Sequence, residues 1–293
     1  MSNDTGTGAR PTPVAPSPTP TPTQPPVVSY RDAQLTLGGR TLWSHLDLDV
    51  APGEFIAILG ANGAGKTSLL RTLLGEYTLS AGRVQLFGED ISRGDPRLGY
   101  VPQQNLAVQG TSLRACDMVS LGLDGRKWGT GLPSAARRQK VADLLAAVGA
   151  TAYAKRPVSL LSGGEQQRVR MAQALAGDPG LLLCDEPLLS LDVRRQAEII
   201  DLIDSQRHRR GFAVLMVTHD INPILGSVDR ILYVAGGRIR VGTPDEVMRT
   251  EVLTELYGSR VDVIRQNGRI FVAGAPEHIH HTERAHTTHR NSR

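Results

Sequence analysis

Lys66 and Thr67 close the stretch Gly60-Ala61-Asn62-Gly63-Ala64-Gly65-Lys66-Thr67, which fills every fixed position of the phosphate-loop pattern G-x-x-x-x-G-K-[ST]. Its three glycines leave room for backbone N–H groups to converge on phosphate oxygens at the positive end of a helix. Lys66 is placed to reach the β and γ phosphates and the Thr67 hydroxyl to ligate Mg²⁺, with Ser68 following in the same turn. Far downstream, Asp185-Glu186 ends one apolar run and His219 ends another. An acidic pair beyond a phosphate loop is what hydrolysis of an Mg²⁺-bound nucleotide requires. Asp185 would hold the metal through water, Glu186 would polarise an attacking water, and His219 would contact the γ phosphate or orient that water. The plain structural alternatives are that an Asp-Glu pair before a proline merely ends a strand and that a lone histidine packs.

These residues need a scaffold, and the flanking sequence supplies one. Phe55-Ile56-Ala57-Ile58-Leu59 is an unbroken apolar run of strand length, as a parallel strand buried on both faces should be. After the loop, Leu69, Leu70, Leu73 and Leu74 share one face of a helix that Gly75 can end. Upstream, apolar residues from Val28 to Val50 alternate around Gly38-Gly39 and predict an antiparallel hairpin. Downstream come short strands at Gly82–Gly88 and Leu98–Pro102, then a helical stretch from Leu113 to Leu175. Within it Ser134–Val148 is amphipathic, and Gly163–Leu175 forms a helix that Ser162 can cap. The α/β rhythm returns with strands at Leu181–Glu186 and Ala213–His219 around a helix from Val193 to Arg209. A closing hairpin, Ile231–Val241, and a short helix at Thr243-Pro244-Asp245-Glu246 follow, and core structure is expected to end near Ala273. In an open parallel sheet ligands gather at the carboxyl ends of the strands, so the loop, Asp185, Glu186 and His219 are expected to converge.

The bulk composition fits this scaffold. The 293 residues are 40% hydrophobic and carry a formal charge of +4, with acidic residues among the basic ones and no basic run, so nucleic acid is not the implied partner. Cys116 and Cys184 alone provide neither a disulfide framework nor a zinc cluster, and a reducing cytoplasm is the expected setting. No apolar stretch approaches the roughly 20 residues that span a bilayer, so service to a membrane would run through a partner. Residues 1–26, rich in Pro and Thr, read as a disordered tail, and residues 276–293, with His278, His280, His281, His286 and His289, read as a flexible tail. Those imidazoles are either weak ligands for Zn²⁺ or Ni²⁺ or part of a solvated basic extension.

Leu161-Ser162-Gly163-Gly164-Glu165-Gln166-Gln167-Arg168 resembles the LSGGQ signature of ATP-binding cassette (ABC) proteins, with Glu165 where many members carry Gln. The resemblance extends over Val27 to Gly258. Gly60–Thr67 are similar to the family's Walker A loop, Gln103 to its Q-loop glutamine, and Leu182–Glu186 to its Walker B strand and catalytic glutamate. Ser190-Leu191-Asp192 resembles the D-loop and His219 the switch histidine, all in the family's order. The likeness implies an α/β P-loop NTPase core of the RecA-like type, with an antiparallel β subdomain and an inserted α-helical subdomain. The nucleotide-binding domain would span 27–275 and its helical part about 104–178. It implies ATP and Mg²⁺ as cofactors, with Thr67, Gln103 and Asp185 around the metal. It implies two cassettes paired head to tail, each ATP lying between the Walker A of one and Ser162, Gly163, Gly164 and Glu165 of the other. The Ser162 helix start agrees, because it is a second anion site that one chain cannot easily bring onto its own phosphates.

One cassette with a short insert implies a transport subunit at the cytoplasmic face of the membrane, working with integral-membrane permease chains and an extracytoplasmic solute-binding protein. Tyr100–Gln104, Cys184–Asp192 and Gly242–Met248 resemble the zinc and manganese uptake branch. Iron chelate, amino acid or phosphate remain alternative solutes, and a small-molecule kinase is the alternative from another class. One departure bears on the base: the place where most cassettes stack adenine on an aromatic holds Leu37 beside Gly38-Gly39, leaving loose adenine binding or a contribution from Tyr30.

Overall fold

The computed structural model describes residues 24–103, 112–124 and 135–274. The expectations for the start through residue 23, for Gln104 and for the histidine-bearing end from residue 275 lie outside the described residues.

The apolar run before the phosphate loop forms β3 (Phe55–Gly60), in the interior of a six-stranded sheet. An antiparallel hairpin, β1 (Val28–Leu37) and β2 (Arg40–Val50), precedes it. After β3 come α1 (Lys66–Leu73), β4 (Ala81–Leu86), β5 (Glu89–Asp90) and β6 (Leu98–Val101). Then follow α2 (Ala115–Asp124), α3 (Ala135–Ala147), α4 (Gly163–Ala174), β7 (Leu181–Asp185), α5 (Val193–Arg210) and β8 (Ala213–Val217). The described chain closes with β9 (Arg230–Ala235), β10 (Arg238–Gly242), α6 (Pro244–Val247), α7 (Thr250–Tyr257), β11 (Asp262–Gln266) and β12 (Arg269–Ala273). The large sheet has the order β10-β9-β3-β8-β7-β6, parallel except where β10 folds back on β9.

Alternation along β3 divides the interior into two cores. Phe55, Ala57 and Leu59 face the side covered by α4, α5 and, further out, α2 and α3, where Met171, Ile199 and Val119 pack. Ile56 and Ile58 face α1 and a four-stranded antiparallel sheet of order β2-β1-β4-β5, where Leu69, Leu70, Leu35 and Trp43 pack. Each such side chain withdrawn from water contributes about 1.5–3 kcal/mol, so a strand buried on both faces is held firmly at its carboxyl end. This is the α/β P-loop core with an antiparallel sheet beside it and helices between β6 and β7, as expected.

Two differences from the sequence reading have physical causes. The hairpin strands are irregular: Asp32 and His45 adopt positive φ (41° and 53°) and the pairing shifts register, so Trp43 and Leu46 point the same way although three residues apart. Strict alternation therefore passed over Trp43, which is fully buried. At the other end, α7 and the β11–β12 hairpin were not anticipated as elements. That hairpin is a separate two-stranded sheet, unpaired with the main one, and β11 is mostly exposed, which leaves a weak apolar pattern.

Candidate active site

The phosphate loop leaves β3 at Gly60, whose φ of 139° no L side chain adopts readily and whose missing Cβ would fall on the carbonyl of Val234 in the adjacent strand. It enters α1 through Gly65, at φ 95°, where a Cβ would stand 3.0 Å from Cδ1 of Trp43. Gly65 is the N-cap of α1; no side chain caps that helix and no acidic residue lies in its first turn. The backbone donors there are thus left for an anion, with the helix dipole favouring negative charge. Lys66 is buried, and its Nζ donates to the carbonyls of Gly60 (2.7 Å) and Ala61 (2.8 Å), folded over the loop it would share with phosphate. Asn62 and Gly63 are exposed at the loop crest, and Ala64 packs into the core.

The acidic end of β7 meets the loop. Thr67 Oγ1 donates to Asp185 Oδ1 at 2.9 Å, joining residues 118 apart in sequence. Burial pushes the Asp185 carboxyl above its usual range, the Thr67 hydrogen bond opposes this, and the charge of Glu186 adds to it. A cation held here would offset that upward pressure, so the donor set fits Mg²⁺: a hydroxyl, a carboxylate and room for phosphate and water oxygens. Glu186 follows at φ 47°, a strained conformation fixed by its N–H donating to the Val217 carbonyl at 3.0 Å. Gln103, just beyond β6, approaches with Nε2 3.5 Å from Glu186 Oε2. His219, exposed beyond β8, lines the same cleft of about 690 Å³ as Gly60, Ala61, Asn62 and Glu186. The convergence expected from the sequence is therefore present for the loop, Asp185, Glu186 and His219, and Gln103 stands beside them.

The signature residues stand apart. Ser162, Gly164 and Glu165 border a different recess of about 220 Å³, with Arg168 and Arg195 on its other walls, and it shares no lining residue with the phosphate-loop cleft. Ser162 caps α4: its Oγ accepts from the Glu165 N–H at 3.4 Å, while Glu165 Oε2 accepts from the Ser162 N–H at 2.8 Å. That backbone bond, then the Ser162 hydroxyl contact, holds the Glu165 carboxyl below its ordinary range. Asp192 caps α5, accepting from the Arg195 N–H at 2.9 Å.

Around the base position, one expectation fails. Tyr30 is fully buried, with its hydroxyl 2.7 Å from Thr72 Oγ1 on α1, so it cannot reach an adenine. Leu37 is half-buried at the end of β1. Sequence reasoning also missed the wall opposite the phosphate loop, formed by Tyr233, Tyr257 and residues 270–272 of β12. Its one sequence signal is the apolar triplet Ile270-Phe271-Val272 near the end of the described chain.

A mostly parallel sheet with an uncapped glycine loop at its carboxyl edge, closed by Thr67, Asp185 and Glu186, defines a P-loop nucleotide hydrolase. The profile of the ABC transporter family matches residues 43–189. The zinc import ATP-binding protein of Halorhodospira halophila is 34% identical over 237 residues, 80% of this chain and 85% of that one. The aliphatic sulfonates import ATP-binding protein of Cupriavidus necator is 40% identical over 205 residues, 69% of this chain and 63% of that one. Among solved structures, cbiO1 from Clostridium perfringens, part of the ABC transporter complex cbiONQ, superposes with a TM-score of 0.69 at 26% identity, covering 79% of this chain and 94% of that one. The chain belongs to the ABC transporter family. It is an ATP-binding subunit, an ATPase that uses ATP with Mg²⁺ and works with membrane permease components. Among the described residues no helix is long and apolar enough to cross a membrane.

Proposed function

We propose that the chain energises uptake of a divalent metal ion, zinc or manganese, from the cytoplasmic face of the membrane. A single nucleotide-binding domain over 27–275, with its helical subdomain at about 104–178, would pair with a second copy beneath a permease fed by a solute-binding protein. The observation that carries the cargo is the likeness of Tyr100–Gln104, Cys184–Asp192 and Gly242–Met248 to the zinc and manganese branch, alongside a zinc import relative aligned over most of the chain. The sulfonate import relative supports the alternative of another small solute.

In the proposed site, loop amides from Gly60 to Thr67 and Ser68 hold the phosphates, and Lys66 swings from the Gly60 and Ala61 carbonyls onto them. Thr67, Asp185 and Gln103 would hold Mg²⁺, which would supply charge neutralisation to the phosphates. Glu186 polarises the attacking water as general base, His219 orients it, and Gln103, which touches Glu186, reports the state of the site to the permease. Ser162, Gly163, Gly164 and Glu165 act on the ATP of the second copy, a role supported by their separation from their own phosphate loop, with Asp192 at the same junction. Uptake of radiolabelled zinc, manganese and iron chelate by cells carrying the complete transporter, with and without Glu186→Gln, tests the cargo. Zinc or manganese uptake that vanishes in the variant supports it; chelate uptake alone overturns the metal assignment.

A further inference from the structure

The β11–β12 hairpin pairs with no strand of the main sheet, yet it is bound at both edges. On the β11 edge, the Val263 N–H donates to Thr250 Oγ1 at 2.9 Å, and Arg265 Nη1 donates to Asp245 Oδ1 at 2.7 Å. On the β12 edge, Asn222 grips one residue by both of its backbone groups. Its Nδ2 donates to the Ile270 carbonyl at 2.9 Å, and its Oδ1 accepts from the Ile270 N–H at 2.8 Å. The same Nδ2 and the Asn222 N–H both donate to Asp220 Oδ1 at 2.9 Å. Asp220 is in turn tied across His219: its N–H donates to Thr218 Oγ1, and that hydroxyl donates back to the Asp220 carbonyl. Arg265 and Ile270 are direct partners in the hairpin register. Hydrogen bonds thus run from Ile270 through Asn222 and Asp220 to the two residues that bracket His219, while Arg265, facing Ile270 across the hairpin, ties the opposite strand to Asp245 of α6.

We infer that Asn222 is a positioning residue for His219 and that the β11–β12 hairpin is the strut against which it works. The imidazole itself is exposed, so its own packing does little to fix where it stands. The loop that carries it is fixed instead from outside the main sheet, by an amide that satisfies a backbone donor and a backbone acceptor of a buried residue, Ile270. The hairpin also forms the far wall of the cleft that holds Gly60, Glu186 and His219, so a shift of the strut displaces the histidine relative to the phosphate loop. This rests on the proposed role of His219 in hydrolysis.

The test is a double-mutant cycle in ATPase turnover on the full-length chain, with His219→Ala, Asn222→Ala and both together. Asn222→Ala is expected to lower kcat about tenfold while KM for ATP stays within about twofold, and the double variant to be no slower than His219→Ala alone, within about twofold. Losses that multiply in the double variant, or an Asn222→Ala enzyme with normal kcat, overturn the inference: a residue that only steadies the fold lowers the melting temperature without this coupling. If Asn222→Ala does not fold, Arg265→Ala, which frees the exposed β11 edge of the same hairpin from Asp245, carries the same test with a smaller loss of kcat. Normal turnover in His219→Ala would instead remove the histidine's assigned role, a separate failure that takes the strut's purpose with it.

Discussion

Helices α1 and α4 both begin at glycine-rich sequence, and their first turns are finished in opposite ways. At α1 the cap is a left-handed Gly65, no side chain accepts from the first amides, and the nearest cation, Lys66, is parked on loop carbonyls. At α4 the amides have been given partners from within the chain: the Ser162 hydroxyl and the Glu165 carboxylate close a capping box. The first end is a binding site whose donors wait for an anion; the second is a satisfied helix start that must yield something to accept one. What it yields costs little. The Glu165 N–H to Ser162 Oγ contact is long, at 3.4 Å, and an ordinary hydrogen bond is worth only about 0.5–1.5 kcal/mol net. So α1 should bind nucleotide within a single chain, and α4 should matter only when a second copy presents a phosphate.

The largest test of that division is Glu186→Gln. The amide keeps the shape beside Gln103 but cannot act as a base, so turnover should fall by on the order of 10²-fold or more while ATP binding persists. Size-exclusion chromatography with ATP and Mg²⁺ should then show a stable dimer, α4 of each copy closing on the α1 site of the other. A monomer that binds ATP as tightly as the parent would break the comparison, since α4 would have no phosphate to meet.

Next in size is Lys66→Ala. Because the ammonium exchanges its two loop-carbonyl bonds for bonds to phosphate, its net worth is about that of one charge-assisted hydrogen bond, about 1.5–3 kcal/mol, so ATP affinity of the isolated chain should drop by roughly 10- to 100-fold by calorimetry. Ser162→Ala, at the other helix, should leave monomer affinity unchanged. Equal losses in the two would mean that α4 contributes within one chain.

The contrast between the helix starts also shows what a sequence discloses. The α1 site was legible because backbone chemistry demands particular residues at fixed spacing: Gly60 and Gly65 where no side chain fits, and Lys66 and Thr67 one turn in. The Ser162 cap was legible for the same reason. Trp43 was not, because bulges at Asp32 and His45 break the period by which buried strand residues announce themselves. Asn222 and the β11–β12 wall were hidden too: a side-chain amide gripping Ile270 from 48 residues away leaves no local pattern. Tyr30 misled because an aromatic near the first strand suggests stacking, whereas its hydroxyl belongs to a buried bond with Thr72.

Neither helix end reads the base, and there the expected effects become smaller. With Tyr30 buried and Leu37 half-buried at the end of β1, ATP and GTP should support hydrolysis with similar apparent KM. Leu37→Tyr should favour ATP by about 1 kcal/mol through stacking. Unchanged discrimination would place the base against some other residue and leave the phosphates as the dominant contact.

The smallest effect sharpens the comparison at α4 itself. Glu165 has its carboxyl held below the ordinary range, first by the Ser162 N–H and then by the Ser162 hydroxyl. A depressed folded-state value means that the ionised form stabilises the fold. That contribution is complete above the unfolded value of about 4.3 and is lost as pH falls through the lower folded value. Because the side chain is only half-buried, solvent screening limits it to a few tenths of a kcal/mol. Glu165→Gln keeps an acceptor for the Ser162 N–H but removes the charge at the positive helix end. The parent should therefore melt up to about 1 °C above the variant at pH 7, and the two should converge near pH 3. The same substitution should strengthen ATP-driven dimerisation slightly, since a resident carboxylate competes with an incoming phosphate for the α4 terminus. A melting difference independent of pH would mean that the box works through shape alone, and weaker dimerisation in the variant would mean that α4 uses its carboxylate to engage the second copy.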